Sequence, residues 1–356
     1  MEIQRPLFNQ YSNLRRSLPI LELGNFPTPI EKINPSDCGI KSAGLWIKHD
    51  EKCASIYGGN KIRKLEFLLG EIKTKGYSSI ITFGGIGSNH ALATAIFCKE
   101  INLPCTVILF PEIPTDLVRK TLSYHLLLGS NVLYANSFSE ARTLADQLIA
   151  SKNEKYYEIP LGGSSWLGTC GFVNAGFELA AQIKAGHIPE PDKIYIALGT
   201  GGSAIGLAIA LEISQIKSNI LAIQVTPPNL QKDFHLNKLF HKTCKKLNAL
   251  DKNFPLLQNP FDKIDISLAQ LGKGYAIPTE EAKEASVFMD KKLGLTGSLT
   301  YTAKVMAALI ADSNNKKLKQ EQILFWNTFN AQAYPNFPKN NAWDTLPQPL
   351  KELFED

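Results

Sequence analysis

Between residues 79 and 225 the chain keeps one rhythm, and that rhythm narrows the fold more than any other feature. Short aliphatic and β-branched runs at 79–83, 105–110, 131–134, 156–160, 193–198 and 220–225 predict strands. Helical stripes are expected at 91–100, at 117–128 closed by Gly129, and at 139–151, 167–185 and 204–216. Outside this stretch, strands are expected at 45–48 and 322–326 and helices at 280–293 and 302–311. Residues 229–260 are polar and expected to be helical, while 1–43 read as an irregular arm in which Pro27 and Pro29 exclude a helix interior. Strands alternating with helices imply a mainly parallel α/β sheet. Ligands of such sheets sit beyond the carboxyl ends of the strands. Four glycine-bearing turns fall at that end: 58–60, 84–87, 162–163 and 199–202.

The first of these turns opens Tyr57-Gly58-Gly59-Asn60-Lys61-Ile62-Arg63-Lys64-Leu65-Glu66. Asn60 reads as a helix N-cap, and Ile62, Leu65, Leu68, Leu69 and Ile72 form the apolar stripe that follows. Lys61 therefore sits in a first helical turn, where the macrodipole opposes a cation. A solvated lysine would fit this position. So would an amine of lowered pKa, suited to act as a nucleophile or to form a Schiff base.

Gly199-Thr200-Gly201-Gly202-Ser203-Ala204 joins an apolar strand to a helix, so its N–H groups and the helix dipole suit a phosphate. No lysine follows the glycines, so it is not a Walker loop. It matches a variant of the dinucleotide fingerprint, but Gln224-Val225-Thr226 supplies no acid for a ribose. In Ser88-Asn89-His90, Ser88 or Asn89 can cap the next helix, whose free N–H groups suit a carboxylate.

A formal net charge of +5, from 38 basic and 33 acidic residues, does not argue for nucleic acid. The six cysteines form no C-x-x-C pair, and no His/Cys cluster has zinc spacing, so no metal site is expected. Residues 1–25 lack a signal-peptide core and no apolar run is long enough to span a membrane. A cytoplasmic protein with reduced thiols is expected.

Together the motifs resemble fold-type II pyridoxal-phosphate enzymes, and specifically the ACC deaminase/D-cysteine desulfhydrase family. The residues that carry the resemblance are Phe26-Pro27-Thr28-Pro29, the Gly58–Glu66 run, Gly87-Ser88-Asn89-His90 and Gly162-Gly163-Ser164. Gly199-Thr200-Gly201-Gly202, Gly274-Tyr275-Ala276-Ile277-Pro278 and Tyr301-Thr302 complete the ordered set, which covers roughly residues 20–330. The resemblance implies a tryptophan synthase β-like α/β fold with two open, twisted, mainly parallel sheets flanked by helices. It implies a large cofactor domain (1–63 and 176–356), a small domain (64–175) with the cofactor between them, and a homodimer. Lys61 would bind pyridoxal 5'-phosphate as a Schiff base, Asn60 would reach its phenolic oxygen, and Gly199, Thr200, Gly201 and Gly202 would hold its phosphate. Thr328 would lie near the pyridine nitrogen. Ser88, Asn89 and His90 would receive the carboxylate of a small amino-acid substrate, and Ser88, Tyr275 and Tyr301 would serve catalysis.

Within that family, ACC deaminases resemble S-N-Q and Y-E at two places where D-cysteine desulfhydrases resemble S-N-H and Y-T. This chain has Ser88-Asn89-His90 and Tyr301-Thr302 and sides with the desulfhydrase. The implied reaction turns D-cysteine into pyruvate, sulfide and ammonia. The alternatives are 1-aminocyclopropane-1-carboxylate (ACC) deamination, or a cofactor-binding homologue with changed or lost activity. The chain departs from the family at Gly87 (usually Gln), Leu92 (Arg) and Thr328-Phe329-Asn330 (T-G-G).

Overall fold

The computed structural model describes residues 5–151, 154–227, 233–335 and 342–354. Its elements run α1 (Pro6–Gln10), α2 (Leu14–Ser17), β1 (Ile30–Ile33), α3 (Pro35–Cys38), β2 (Gly44–His49), α4 (Asn60–Thr74), β3 (Ser79–Gly85), α5 (Asn89–Glu100), β4 (Cys105–Phe110), α6 (Asp116–Leu128), β5 (Asn131–Tyr134) and α7 (Phe138–Ala150). There follow β6 (Tyr156–Ile159), α8 (Trp166–Lys184), β7 (Lys193–Leu198), α9 (Gly202–Ile213), β8 (Asn219–Gln224), α10 (Asp233–Leu250), β9 (Ile264–Ser267), α11 (Glu280–Leu293), α12 (Thr302–Asn314), β10 (Gln322–Asn327) and α13 (Gln348–Lys351). The alternating α/β architecture expected from the sequence is present, with two sheets flanked by helices.

The chain divides into two compact units, Met1–Phe67 with Ser164–Gln332, and Leu68–Gly163 with Ala333–Asp356. This line differs from the division at 64–175 implied by the resemblance at both inner boundaries, which fall after Phe67 and before Ser164, and at the C-terminal segment. All of α8 belongs to the larger unit, because it lies tightly on α9: a Cβ on Gly176 would come 2.5 Å from that of Ala210, and one on Gly206 would come 2.5 Å from that of Phe172. The C-terminal segment belongs to the smaller unit, where Leu346 and Leu350 share a core with Val118 and Leu122. Arg119 Nε also donates to the carbonyl of Leu353 at 2.7 Å.

The larger unit has the strand order β1-β2-β10-β7-β8-β9, parallel except for the β1–β2 pair. The chain adds β8 and β9 on one side of β7, then returns to lay β10 on the other. The smaller unit has the parallel order β5-β4-β3-β6: β4 and β5 extend one side of β3, and β6 returns to the other. Each sheet thus has a switch point, β7/β10 in one and β3/β6 in the other, where loops part to opposite faces and leave a crevice.

One expectation changes. The described residues 5–43 are not an irregular arm. They hold α1 to α3 and β1, because tertiary partners outweigh weak local propensity: Asn174 Oδ1 accepts from Leu7 N at 3.1 Å, and Phe8 packs on Phe67. Strand β9, a polar edge strand, had no apolar run to announce it. The expected helix within 229–260 is α10; residues 229–232 lie outside the described residues.

A buried ionic network holds the first half of α4 in the larger unit. Arg63 forks onto Asp50 (Nε–Oδ2 2.9 Å, Nη2–Oδ1 2.7 Å) and Glu178 (Nη1–Oε2 2.9 Å) and donates to Thr28 Oγ1 at 2.9 Å. Lys48 Nζ meets Glu178 at 2.5 Å, and Trp326 Nε1 donates to Asp50 at 2.8 Å. Burial alone would raise the Glu178 pKa, but Arg63 and then Lys48 outweigh it and bring it down to about 2. Gly171 of α8 lies so close to α4 that a Cβ would come 2.1 Å from the Arg63 carbonyl oxygen. Gly171→Ala should therefore push α8 off α4 and destabilise the fold by about 1–3 kcal/mol or more, measured by urea unfolding.

In the smaller unit His125 is fully buried, and neither ring nitrogen has a partner among the described residues. Burial pushes its pKa down from 6.5 to about 4. The unfolded chain binds the proton more readily, so His125 withdraws stability as pH falls from 6.5 toward 4. The loss by pH 4 should be about 3 kcal/mol. Urea unfolding at a series of pH values should show a shallower acid slope for His125→Leu than for the native chain.

Candidate active site

The β7/β10 switch point of the larger unit gathers most of the expected cofactor residues. After β7, Gly201 takes a left-handed backbone (φ +88°) and caps α9, so the N–H groups of the first turn face the end of the sheet. Around them lie Lys64 Nζ, 3.0 Å from Ser164 Oγ, which is itself 2.6 Å from Thr200 Oγ1. A Cβ on Gly202 would come 3.0 Å from Lys64 Nζ and 2.7 Å from Ser164 Oγ. Only glycine leaves this cradle open.

Lys61 is half-buried, and its desolvation lowers its pKa to about 8. Lys64 is pushed down further, by burial first and then by the charge of Lys61. An anion set among the two amines and the α9 N–H groups would relieve that repulsion and offset the burial. Asn60 opens α4 rather than preceding it, and its amide nitrogen donates to Ser203 Oγ at 3.2 Å.

The end of β10 docks on the chain just before Lys61. The Asn60 N–H donates to the Thr328 carbonyl at 3.1 Å. Gly59 (φ +96°) permits the approach, since a Cβ there would meet the same oxygen at 2.7 Å. Asn330 Oδ1 accepts from Gly58 N at 2.7 Å, so the departure from T-G-G supplies an acceptor to the glycine loop. Tyr275 and Tyr301 share a 2.6 Å hydroxyl contact, and the Tyr301 ring lies 3.7 Å from where a Gly199 Cβ would stand.

In the smaller unit the β3/β6 switch point carries Ser88, Asn89 and His90. Ser88 Oγ caps α5, accepting from Ala91 N at 3.3 Å. Asn89 is partly open, whereas His90 is buried, its Nε2 3.4 Å from the hydroxyl of Thr82, which donates to the Ile159 carbonyl.

The structure thus brings Lys61, Asn60, Gly199 to Gly202, Thr328, Tyr275 and Tyr301 into one unit and Ser88, Asn89 and His90 into the other. Sequence reasoning assigned no role to Lys64, Ser164 or Asn330. Lys64 could have been found from its spacing, since residues three apart on a helix are neighbours. No group of three or more His, Cys, Asp or Glu residues that could hold a metal occurs among the described residues.

A half-buried lysine of lowered pKa, Lys61, is followed one helical turn on by Lys64, which with Ser164 and Thr200 groups ammonium and hydroxyl donors around the glycine turn that opens α9. The family of pyridoxal-phosphate dependent enzymes matches residues 21–328, and the chain belongs to that family. Its cofactor is pyridoxal 5'-phosphate, and the donor set fits that group. A crystal structure of an ACC deaminase homologue is similar, at 25% identity and a TM-score of 0.76, covering 92% of this chain and 95% of that one. The processed form of threonine deaminase isoform 2 from Solanum lycopersicum shares the fold at 18% identity and TM-score 0.61, covering 92% and 85%. A pyridoxal 5'-phosphate-dependent aspartate racemase shares it at 16% and 0.56, covering 87% and 92%.

Replacing Lys64 by Met should raise the dissociation constant for pyridoxal phosphate roughly 10- to 100-fold, the worth of a charge-assisted hydrogen bond. Binding of pyridoxal, which lacks the phosphate, should change little. Fluorescence titration of the two ligands tests this.

Proposed function

We propose that this enzyme is a lyase or deaminase of small amino acids, with D-cysteine desulfhydration as its reaction. D-Cysteine and water would give pyruvate, sulfide and ammonia. The observation that carries the reading is Lys61, a half-buried amine of pKa about 8 in the first turn of α4, one helical turn before the Lys64 that lines the cradle at Gly202. When bound, the cofactor supplies an electron sink for charge developing at the substrate's α-carbon.

The chain's own residues supply the rest. Lys64, Ser164, Thr200 and the N–H groups of Gly201 and Gly202 hold the phosphate. Asn60 orients the ring through its amide, and Thr328 closes the site at the end of β10. Lys61 first bonds the cofactor and then, as a free amine, takes the α-proton. Its lowered pKa makes the neutral amine roughly a hundredfold more abundant at pH 7 than in an ordinary lysine. The N–H groups at the start of α5, with Asn89, receive the substrate carboxylate. Ser88 holds those groups in place by capping α5. The paired phenols of Tyr275 and Tyr301 deliver a proton to the leaving group.

Support for D-cysteine comes from Ser88-Asn89-His90 and Tyr301-Thr302. Thr302 is buried and its hydroxyl accepts from Ser298 N at 2.9 Å, so this position places no carboxylate in the site. The similarity to the ACC deaminase homologue supports ACC as the second reading. Borohydride reduction and peptide mapping should fix the cofactor to Lys61, and Lys61→Ala should abolish the visible band and all turnover. Sulfide and pyruvate should then form from D-cysteine; 2-oxobutanoate from ACC, with no product from D-cysteine, would select the second reading instead.

A further inference from the structure

Each of the three peptide N–H groups just before Lys61 is captured by an acceptor. Gly59 N donates to the Asp50 carbonyl at 2.9 Å, and Asn60 N to the Thr328 carbonyl at 3.1 Å. Gly58 N donates to Asn330 Oδ1 at 2.7 Å. Two of these acceptors are backbone and come with the fold, whereas the third is a side chain that a substitution can remove. The loop leaves little slack, since a Cβ on Gly58 would come 2.0 Å from the Glu51 carbonyl oxygen.

Asn330 is 5% exposed and fixed by its own bonds. Its Oδ1 also accepts from Gln332 N at 3.1 Å, and its Nδ2 donates to the Gln332 carbonyl at 3.0 Å. Gln332 Nε2 then donates to the Ala54 carbonyl at 3.2 Å. Two N–H donors meet one end of the Asn330 amide and a carbonyl meets the other. The reversed orientation would set N–H against N–H, so the network selects the one in which oxygen faces Gly58. Residues 330–332 thus bracket the loop at Ala54 and at Gly58, all within the larger unit.

Gly58 is three residues before Lys61, and Asn60 already opens α4. While Lys61 is bonded to the cofactor, that bond holds its amine in place. Once the amine is free, only the chain leading into α4 sets where it can reach. We propose that Asn330 is a positioning residue that fixes the reach of Lys61 as the base acting at the substrate's α-carbon. The inference rests on the reading of Lys61 as the cofactor-bonding lysine and base. It places the effect of Asn330 on proton transfer and not on cofactor loading.

The test uses holoenzyme with D-cysteine, unlabelled and deuterated at the α-carbon. It also reads amide hydrogen exchange of the 55–60 segment by mass spectrometry. Asn330→Leu keeps the size of the side chain and removes its hydrogen bonds. It should lower kcat roughly tenfold or more with KM unchanged, and raise the isotope effect on kcat. Exchange in the segment should quicken while cofactor content stays the same. Asn330→Asp keeps both accepted bonds and should recover most of the protection and of kcat. Gln332→Met removes only the Ala54 bond, from a half-buried side chain, and should lower kcat about threefold in the same pattern. It carries the test if Asn330→Leu does not fold. An unaltered kcat and isotope effect overturns the proposal, as does a fall in kcat that lost cofactor accounts for. If the native enzyme acts on ACC and not on D-cysteine, the split between kcat and KM is read with ACC and decides in the same way. If borohydride fixes no cofactor to Lys61, that reading fails and the inference falls with it; otherwise the variants decide the role of Asn330 alone.

Discussion

Arg63 is the residue on which the site's geometry depends. Burying its guanidinium would cost several kcal/mol in isolation, and only near-complete hydrogen bonding offsets that. The protein supplies a carboxylate fork on two sides, the Thr28 hydroxyl on a third, and the Phe26 ring 4.3 Å from Cζ. Arg63 is two residues past Lys61, so it projects roughly 200° further round the helix. Glu66, held by Arg5 and by the N–H groups of Leu23 and Gly24, projects on that same anchoring side. Pinning that side of α4 fixes the rotation of the helix. Lys61 and Lys64, neighbours on the opposite side, then have no freedom to turn away from the loop after β7. Two desolvated amines in one helical turn, Lys64 buried and Lys61 half-buried, are costly by themselves, and the same rigid anchoring that aligns them holds them in place.

The second constraint is the backbone. A phosphate cradle needs N–H groups that converge with no side chain between them, and a Cβ on Gly202 would fill it. The β10 end needs equally close contact with Gly58 and Gly59. Here the chain departs from T-G-G without losing the contact, because Asn330 turns its own amide oxygen onto Gly58 N. Phe329 is buried at the same turn.

The smaller unit uses the same topological device for a different end. Its sheet also reverses direction at β3/β6, and its turn is also made of glycines, but the groups set around it are a cap hydroxyl and the Glu112 carboxylate rather than amines. Parallel sheets with a switch point leave a crevice wherever the order reverses. What each crevice can bind is decided by the side chains that reach it.

Much of this was legible in the sequence. The alternation of strands and helices announced the parallel sheets, because burial on both faces demands continuous apolar runs that are local and readable. The Gly58–Glu66 run singled out Lys61, and the turns at 84–87 and 199–202 announced helix starts that the structure contains. Other features had no local signal. Helix α1 has partners only in α8 and α4, far along the chain, and His90 is drawn inward to Thr82. Lys64 was visible as a neighbour of Lys61, but Ser164, a hundred residues away, was not visible as its partner. By itself the sequence determined the fold class and singled out Lys61 as the candidate lysine, since both rest on periodicity and contiguous motif. Only the tertiary structure decided which charges are buried together, because that depends on residues that meet across the fold rather than along the chain.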